Sequence, residues 1–214
     1  MIVCRDDEVH LFDRAELELT AEPSIDALRH LFKVTAPFAA SSLIARGEAA
    51  AAAVQRALQR GTVFTAAQCL GLAERMIHIA VEYAKQRVQF GKPIGSYQAI
   101  KHHLATAQVK LEFARPVVYA AAARVADLDA RAVAAASHAK LAAFDAAELA
   151  ARSAFQVHGA MGYSWEVDLH FYMKRAWALG GVWSSRGSLG RGIQSLLLSG
   201  ELDIGPDTTF MRGK

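Results

Sequence analysis

The sequence predicts a mainly α protein, an up-down four-helix bundle with a short β segment at its N-terminus. Three observations lead there. Ala-rich stretches after residue 62 repeat apolar residues at alternating three- and four-residue spacing, the period of a buried helix face. The links between those stretches are short, which makes successive helices antiparallel neighbours. The first 35 residues instead alternate in short pieces such as EVHLF and ELELT, the period of strands.

Residues 1–35 predict two or three short strands with acidic turns between them, too small a unit to bury a core of its own. Residues 36–60 are Ala-rich and predict a helix or helices leading into the main body. Over 62–86, Ala66, Leu70, Ala73, Ile77, Ala80 and Ala84 form one apolar face, and Phe64, Leu72, Met76, Ile79 and Tyr83 a second. A helix with two such faces belongs inside a bundle. After the Pro93–Gly95 break, Ser96 is the expected N-cap of a helix over about 97–128. Its core row is Ile100, Leu104, Ala107, Leu111, Ala114, Val118, Ala121 and Val125, and Pro116 within it predicts a kink. A third long helix over about 130–158 ends at Gly159. Helices near 166–178 and 183–198 follow, separated by Gly180-Gly181, before an irregular tail at 201–214. The expected organisation is therefore a β remnant at 1–35, a helical bundle at 36–200 and the tail.

Composition narrows the function. The chain of 214 residues is 53% hydrophobic and 21% charged, the balance of a globular protein with a full core. A net charge of +3, with basic and acidic residues interspersed, implies no nucleic-acid partner. No stretch reaches 18 apolar residues without a charge, so no membrane span is expected. Cys4 and Cys69 are two unpatterned thiols, and the first residues lack the pattern of a secretory signal. Both features predict a reducing, cytoplasmic setting. There is no HExxH, no clustered Cys/His set, no GxSxG elbow and no Walker loop. Glu166 and His170 share one short helix and do not make the paired Glu-x-x-His sites of a metal-binding bundle, so no metal is expected. His102-His103 and Ser184-Ser185 read as ordinary positions, because neither has a partner group placed beside it.

Two phrases stand apart from this helical background. The first is Arg87-Val-Gln89-Phe90-Gly91-Lys-Pro-Ile94-Gly-Ser-Tyr97-Gln98, between two long helices. The second is Gln156-Val-His-Gly159-Ala-Met-Gly162-Tyr163, followed by Glu166 and later Arg175. Together, over roughly residues 60–200, they resemble the C-terminal helical domain of the flavin-dependent acyl-CoA dehydrogenases. The resemblance implies an oxidoreductase acting on a CH–CH bond of an acyl-CoA thioester, with FAD as cofactor. It also implies that the loop after the first long helix reaches across a subunit interface to FAD held mainly by a neighbour. The residues implied in that contact are Arg87, Gln89, Phe90, Ile94, Tyr97 and Gln98, with Gln156 and Gly159 at the adenosine end. Their chemistry suits the role. A guanidinium can fork onto a diphosphate, and a helix N-terminus favours the same anion.

The resemblance also implies a base that this chain lacks. The family removes an α-proton with a glutamate at one of two positions, which here hold Ser184 and Gly61. Arg186 and Ser188 stand in place of a flavin-contacting Thr and Gln, Ala176 in place of an Asp and Ala160 in place of a Gly. The family's N-terminal helical domain and most of its β domain have no counterpart in these 214 residues. Three readings stay open. One is a base-less subunit of a heteromeric actinobacterial acyl-CoA dehydrogenase of fatty-acid or steroid side-chain degradation, in a dimer or tetramer with a full-length subunit. The others are a truncated acyl-CoA dehydrogenase and a non-catalytic scaffold of the same fold.

Overall fold

The computed structural model describes residues 1–129 and 131–202. Most of the predicted tail lies outside the described residues. Among the described residues there are five α-helices and seven short strands. β1 (Ile2–Arg5), β2 (Glu8–Leu11) and β5 (Leu43–Arg46) form an antiparallel sheet in the order β1-β2-β5. β3 (Glu18–Glu22) and β4 (Leu31–Thr35) form a separate antiparallel pair. Val9, Phe12 and Leu17 are buried there, and His10 stacks on Phe12 and meets Phe38 edge-on. The β segment thus closes on a small aromatic cluster, more than its length alone suggests.

The helix expected from residue 36 begins later. Residues 40–42 form a 3-10 turn, β5 follows, and α1 runs unbroken from Glu48 to Gln86. Ala-rich sequence at 36–47 reads as helix, but pairing with β2 overrides that propensity. α1 passes straight through Gly61, where the sequence reading divided it.

After the two-residue strands β6 (Val88–Gln89) and β7 (Lys92–Pro93), α2 spans Gln98–Ala126 and continues through Pro116. α3 (Ala132–His158) packs against both α1 and α2. Its Ala row lets the backbones approach closely. α4 (Leu169–Gly180) packs on α1 and α3, and α5 (Arg186–Leu198) packs on α3, so two shorter helices complete the bundle.

The first predicted face of α1 is buried at every position. On the second, Met76 is buried and Leu72, Ile79 and Tyr83 are half-buried, but Phe64 is exposed. On α2 the row from Ala107 to Val125 is buried as expected, while Ile100 and Leu104 are half-buried. Full burial of a side chain such as Leu111 or Met76 contributes about 1.5–3 kcal/mol. Ser96 does not cap α2. Its hydroxyl donates to the Pro93 carbonyl at 2.8 Å, and Tyr97 takes the N-cap position without a side-chain cap bond.

Arg175 ties the two parts together. Its guanidinium pairs with Asp26, which is buried, and Arg29 donates to the Ala178 carbonyl at 3.3 Å. Among the described residues no helix is long and apolar enough to cross a membrane, and no group of three or more potential metal ligands occurs.

Candidate functional site

α1 ends because the chain leaves helical geometry at Arg87, whose backbone amide still bonds the Tyr83 carbonyl at 2.9 Å. β6 and β7 then form a tight hairpin with Phe90 and Gly91 at its tip. Both take positive φ, 52° and 81°, the pattern of a type I′ turn. Glycine adopts that conformation freely, whereas a bulky residue there is strained. Phe90 is also 92% exposed. A strained, solvent-facing phenylalanine costs free energy that the isolated chain does not recover, and such positions cluster at binding sites.

The rest of the loop is tied down around this tip. The Ile94 amide donates to the Arg87 carbonyl at 2.8 Å, and the Tyr97 hydroxyl to the Gln89 carbonyl at 3.3 Å. Phe90 meets Tyr97 edge-on at 6.4 Å, and the Lys92 ammonium sits 4.3 Å from the centre of the Tyr97 ring. Arg87 is exposed, and among the described residues no carboxylate lies within ion-pair distance of it. Gln98 is exposed at the first position of α2. With no side-chain cap at Tyr97, the first amides of that helix remain open donors.

The second phrase comes to the same end of the bundle. Tyr83, in the last turn of α1, stacks on His158 at the end of α3, with ring centres 4.3 Å apart and planes inclined by 22°. His158 is buried and its Nδ1 bonds the Ala154 carbonyl at 2.7 Å. Burial holds its pKa below the usual histidine value. Gln156 is exposed on the last turn of α3, and Gly159 ends that helix with a φ of 57°. All eight residues expected in the contact therefore cluster around one end. They fit one edge of a dinucleotide diphosphate: a free guanidinium, open helix-terminal amides and side-chain amides around an exposed ring. They enclose no pocket.

Ser184 and Gly61 lie elsewhere. Gly61 precedes Arg87 by 26 residues of α1, roughly 39 Å at the helical rise of 1.5 Å per residue. Ser184 lies close to it, because the neighbouring Trp183 lays its indole directly on Gly61. A Cβ at position 61 would overlap the Trp183 ring, lying only 2.7 Å from its Cζ2. Lys140, on α3, is 1% exposed and donates to the carbonyls of Val182 and Ser184. Burial lowers its pKa, and burial pushes the thiol of Cys69 up to about 12. Arg186 pairs with Asp145 of α3, and Ser185 caps α5 by accepting from the Ser188 amide at 3.2 Å. Sequence reasoning missed Lys140 and Trp183. The available signal was that Lys140 stands on the buried row of α3, between Ala136 and Ala143. A separate cleft of about 370 Å³, lined by Leu28, Leu72, Phe171, Tyr172 and Arg175 among others, contains none of the eight residues.

A sequence profile described as the acyl-CoA dehydrogenase C-terminal domain matches residues 51–180. The chain belongs to the acyl-CoA dehydrogenase family. It is 41% identical over 124 residues to the acyl-CoA dehydrogenase IpdE2 of Mycobacterium tuberculosis, covering 53% of this chain and 34% of that protein. It is 40% identical over 136 residues to the acyl-CoA dehydrogenase FadE34 of the same organism, covering 63% and 19%. Among solved structures, butyryl-CoA dehydrogenase from Megasphaera elsdenii superposes with a TM-score of 0.82 at 28% identity, over 89% of this chain and 51% of that one. The ChsE4-ChsE5 complex from Mycobacterium tuberculosis gives 0.79 at 25% identity, over 92% and 53%. The chain spans about a third or less of these curated relatives and about half of each structural one.

Proposed function

We propose that this chain is the base-less subunit of a heteromeric acyl-CoA dehydrogenase, contributing one edge of an FAD site held mainly by a partner. One observation carries the reading. The loop at the end of α1 presents an unpaired Arg87 and a strained, exposed Phe90, roughly 39 Å from the Gly61–Ser184 region. A single flavin cannot meet both places on one subunit. On this reading the group that Arg87 serves is held by another chain.

In this reading Arg87 neutralises the diphosphate, assisted by the open amides at Gln98, while Phe90 packs on the cofactor and Tyr97 buttresses it. Gln89 and Ile94 shape the hairpin, and Gln156 and Gly159 meet the adenosine end. A bound FAD would supply the acceptor for the hydride leaving the β-carbon of the acyl thioester. A glutamate of the partner removes the α-proton, since Ser184 and Gly61 offer no carboxylate. Residues 1–35 are read as the end of the family's middle β domain, with strand pairing continuing to Arg46. The FAD and heteromer assignments draw support from the membership in this family and from the likeness to a complex of two different chains.

The test is co-expression with a neighbouring full-length acyl-CoA dehydrogenase homologue, reading bound FAD by visible absorbance and its bleaching by acyl-CoA. Arg87→Ala is expected to weaken FAD retention by on the order of tenfold or more, the loss of a charge-assisted diphosphate contact. A complex that keeps its flavin undiminished in that variant would refute the assignment.

A further inference from the structure

The cleft of about 370 Å³ opens where the β segment meets the bundle. Its size and mostly apolar walls are those of a small-molecule site. Leu28 lines it from the β segment, Leu72 from α1, and Phe171 and Tyr172 from α4. Leu72 lies 11 residues beyond Gly61 and 15 before Arg87, roughly 16 Å and 22 Å at the helical rise. The cleft is therefore apart from both the base positions and the loop after α1.

Charged groups break the apolar lining in an ordered way. Arg175 lines the cleft with a guanidinium only partly used. Its Nε bonds buried Asp26, and its two terminal amino groups have no partner among the described residues. The same carboxylate accepts from the Leu28 amide at 3.1 Å. One buried side chain thus fixes both the cation and the apolar residue beside it, and preorganisation of that kind lowers the ordering cost of binding. A second guanidinium, that of exposed Arg75, lies 5.9 Å from the centre of the Tyr172 ring. Among the described residues no carboxylate pairs with Arg75, and no cation pairs with Asp168, which also lines the cleft. Asp168 precedes Arg175 by seven residues, roughly 10 Å along α4. The cleft has an end that attracts an anion and, two turns away, an end that repels one.

We propose that this cleft binds a small monocarboxylate with an apolar body the size of naphthalene. The carboxylate forks onto the free amino groups of Arg175, the body lies among Leu28, Leu72, Phe171 and Tyr172, and Asp168 rejects a second negative charge. Pairing with Asp26 accounts for Arg175 Nε alone. Both terminal amino groups, the fork that matches a carboxylate, are left over at the cleft.

The test uses the full chain, without partner or flavin, and three probes of one shape: 2-naphthoate, uncharged 2-naphthamide and naphthalene-2,6-dicarboxylate. In calorimetric titration naphthoate should bind at least about tenfold more tightly than the amide, the worth of a charge-assisted contact. It should also bind severalfold more tightly than the dicarboxylate, whose far charge meets Asp168. With isotope-labelled leucine methyls, naphthoate should shift Leu28 and Leu72 and leave Leu111, buried in the bundle, unmoved. Arg175→Lys, which keeps a cation for Asp26 but loses the fork, should erase the preference for acid over amide. Leu28→Glu changes an exposed position, so it tests the cleft even if Arg175→Lys fails to fold, and it should weaken naphthoate by about tenfold or more. No binding of naphthoate, equal affinity for acid and amide, or binding that leaves the Leu28 and Leu72 methyls unmoved overturns the proposal. A Leu28→Glu chain that loses an oligomeric state, while wild type ignores naphthoate, assigns the cleft to a second copy and overturns it too. None of these readouts involves Arg87 or FAD, so they fail separately from the subunit reading.

Discussion

Replacing Gly61 by alanine should reverse the sign of its effect depending on what residue 183 is. Within a long helix, glycine to alanine is worth about 1 kcal/mol of stabilisation, because alanine loses less backbone entropy. In the wild-type chain that gain meets an obstacle. The new methyl carbon would lie 2.7 Å from Trp183 Cζ2, far inside van der Waals contact, against a ring anchored by Lys140 on both flanking carbonyls. Overpacking of this kind costs about 1–3 kcal/mol. Net destabilisation of about 1 kcal/mol is the expected result. With Trp183→Ala in the background the obstacle is gone, and Gly61→Ala should stabilise by about 1 kcal/mol. The coupling between the two sites is then about 2 kcal/mol, within the range found for residues in contact. Urea denaturation followed by helical circular dichroism measures it, comparing midpoints at constant m-value for wild type, both single variants and the double. The reasoning fails if Gly61→Ala stabilises the wild-type chain, or if its effect is the same in both backgrounds.

Two other sites give sharp expectations. Asp26 is buried and accepts from Arg175 and from the Leu28 amide at 3.1 Å, so Asp26→Ala should cost about 2–3 kcal/mol, the worth of bonds to a charged group. Amide exchange in β3 and β4 should accelerate more than in α2, and uniform acceleration would show that the pair does not anchor the β segment. At His158 the folded pKa lies below the ordinary value of 6.5 because burial disfavours the charged ring. On acidification the unfolded chain therefore binds the proton first, and stability present above that pH is lost as pH falls through the folded value. His158→Phe keeps an aromatic ring against Tyr83 but cannot titrate. Its melting temperature should be lower at neutral pH and fall less steeply below 6.5, and parallel profiles would exclude His158 as the source of the slope.

The helices were legible in the sequence because their buried faces are local and periodic. Ala66 through Ala84 share one side of α1, and every one of them is buried. The loop after α1 was legible as a break between two helices through its Gly and Pro residues, and the stacking of Tyr83 on His158 brings the two phrases together. What escaped depends on contacts between distant parts of the chain. Gly61 reads as a lost base, but its lack of a side chain is what admits a ring from 122 positions later. Strand β5 was hidden in Ala- and Ser-rich sequence because pairing with β2, more than 30 residues earlier, decides it. Phe64 broke its predicted stripe because apolar residues do appear at surfaces, and periodicity cannot distinguish a covered position from an open one.

The two regions of α1 differ in how completely the chain satisfies itself, and that contrast separates a subunit from a bare scaffold. Around Gly61 the charged groups have internal partners: Lys140 has two carbonyls and Arg186 a carboxylate. At the Arg87 end the opposite holds. A guanidinium without a carboxylate, uncapped amides on α2 and a phenylalanine in a left-handed conformation all face solvent. A scaffold gains nothing from a strained, exposed Phe90, and any β-compatible residue in a less demanding turn would stabilise it. Those costs make sense where a second molecule offsets them on binding. The same contrast bears on Ser184→Glu: the new carboxylate would join a loop whose carbonyls at Val182 and Ser184 already bond Lys140, far along α1 from Arg87.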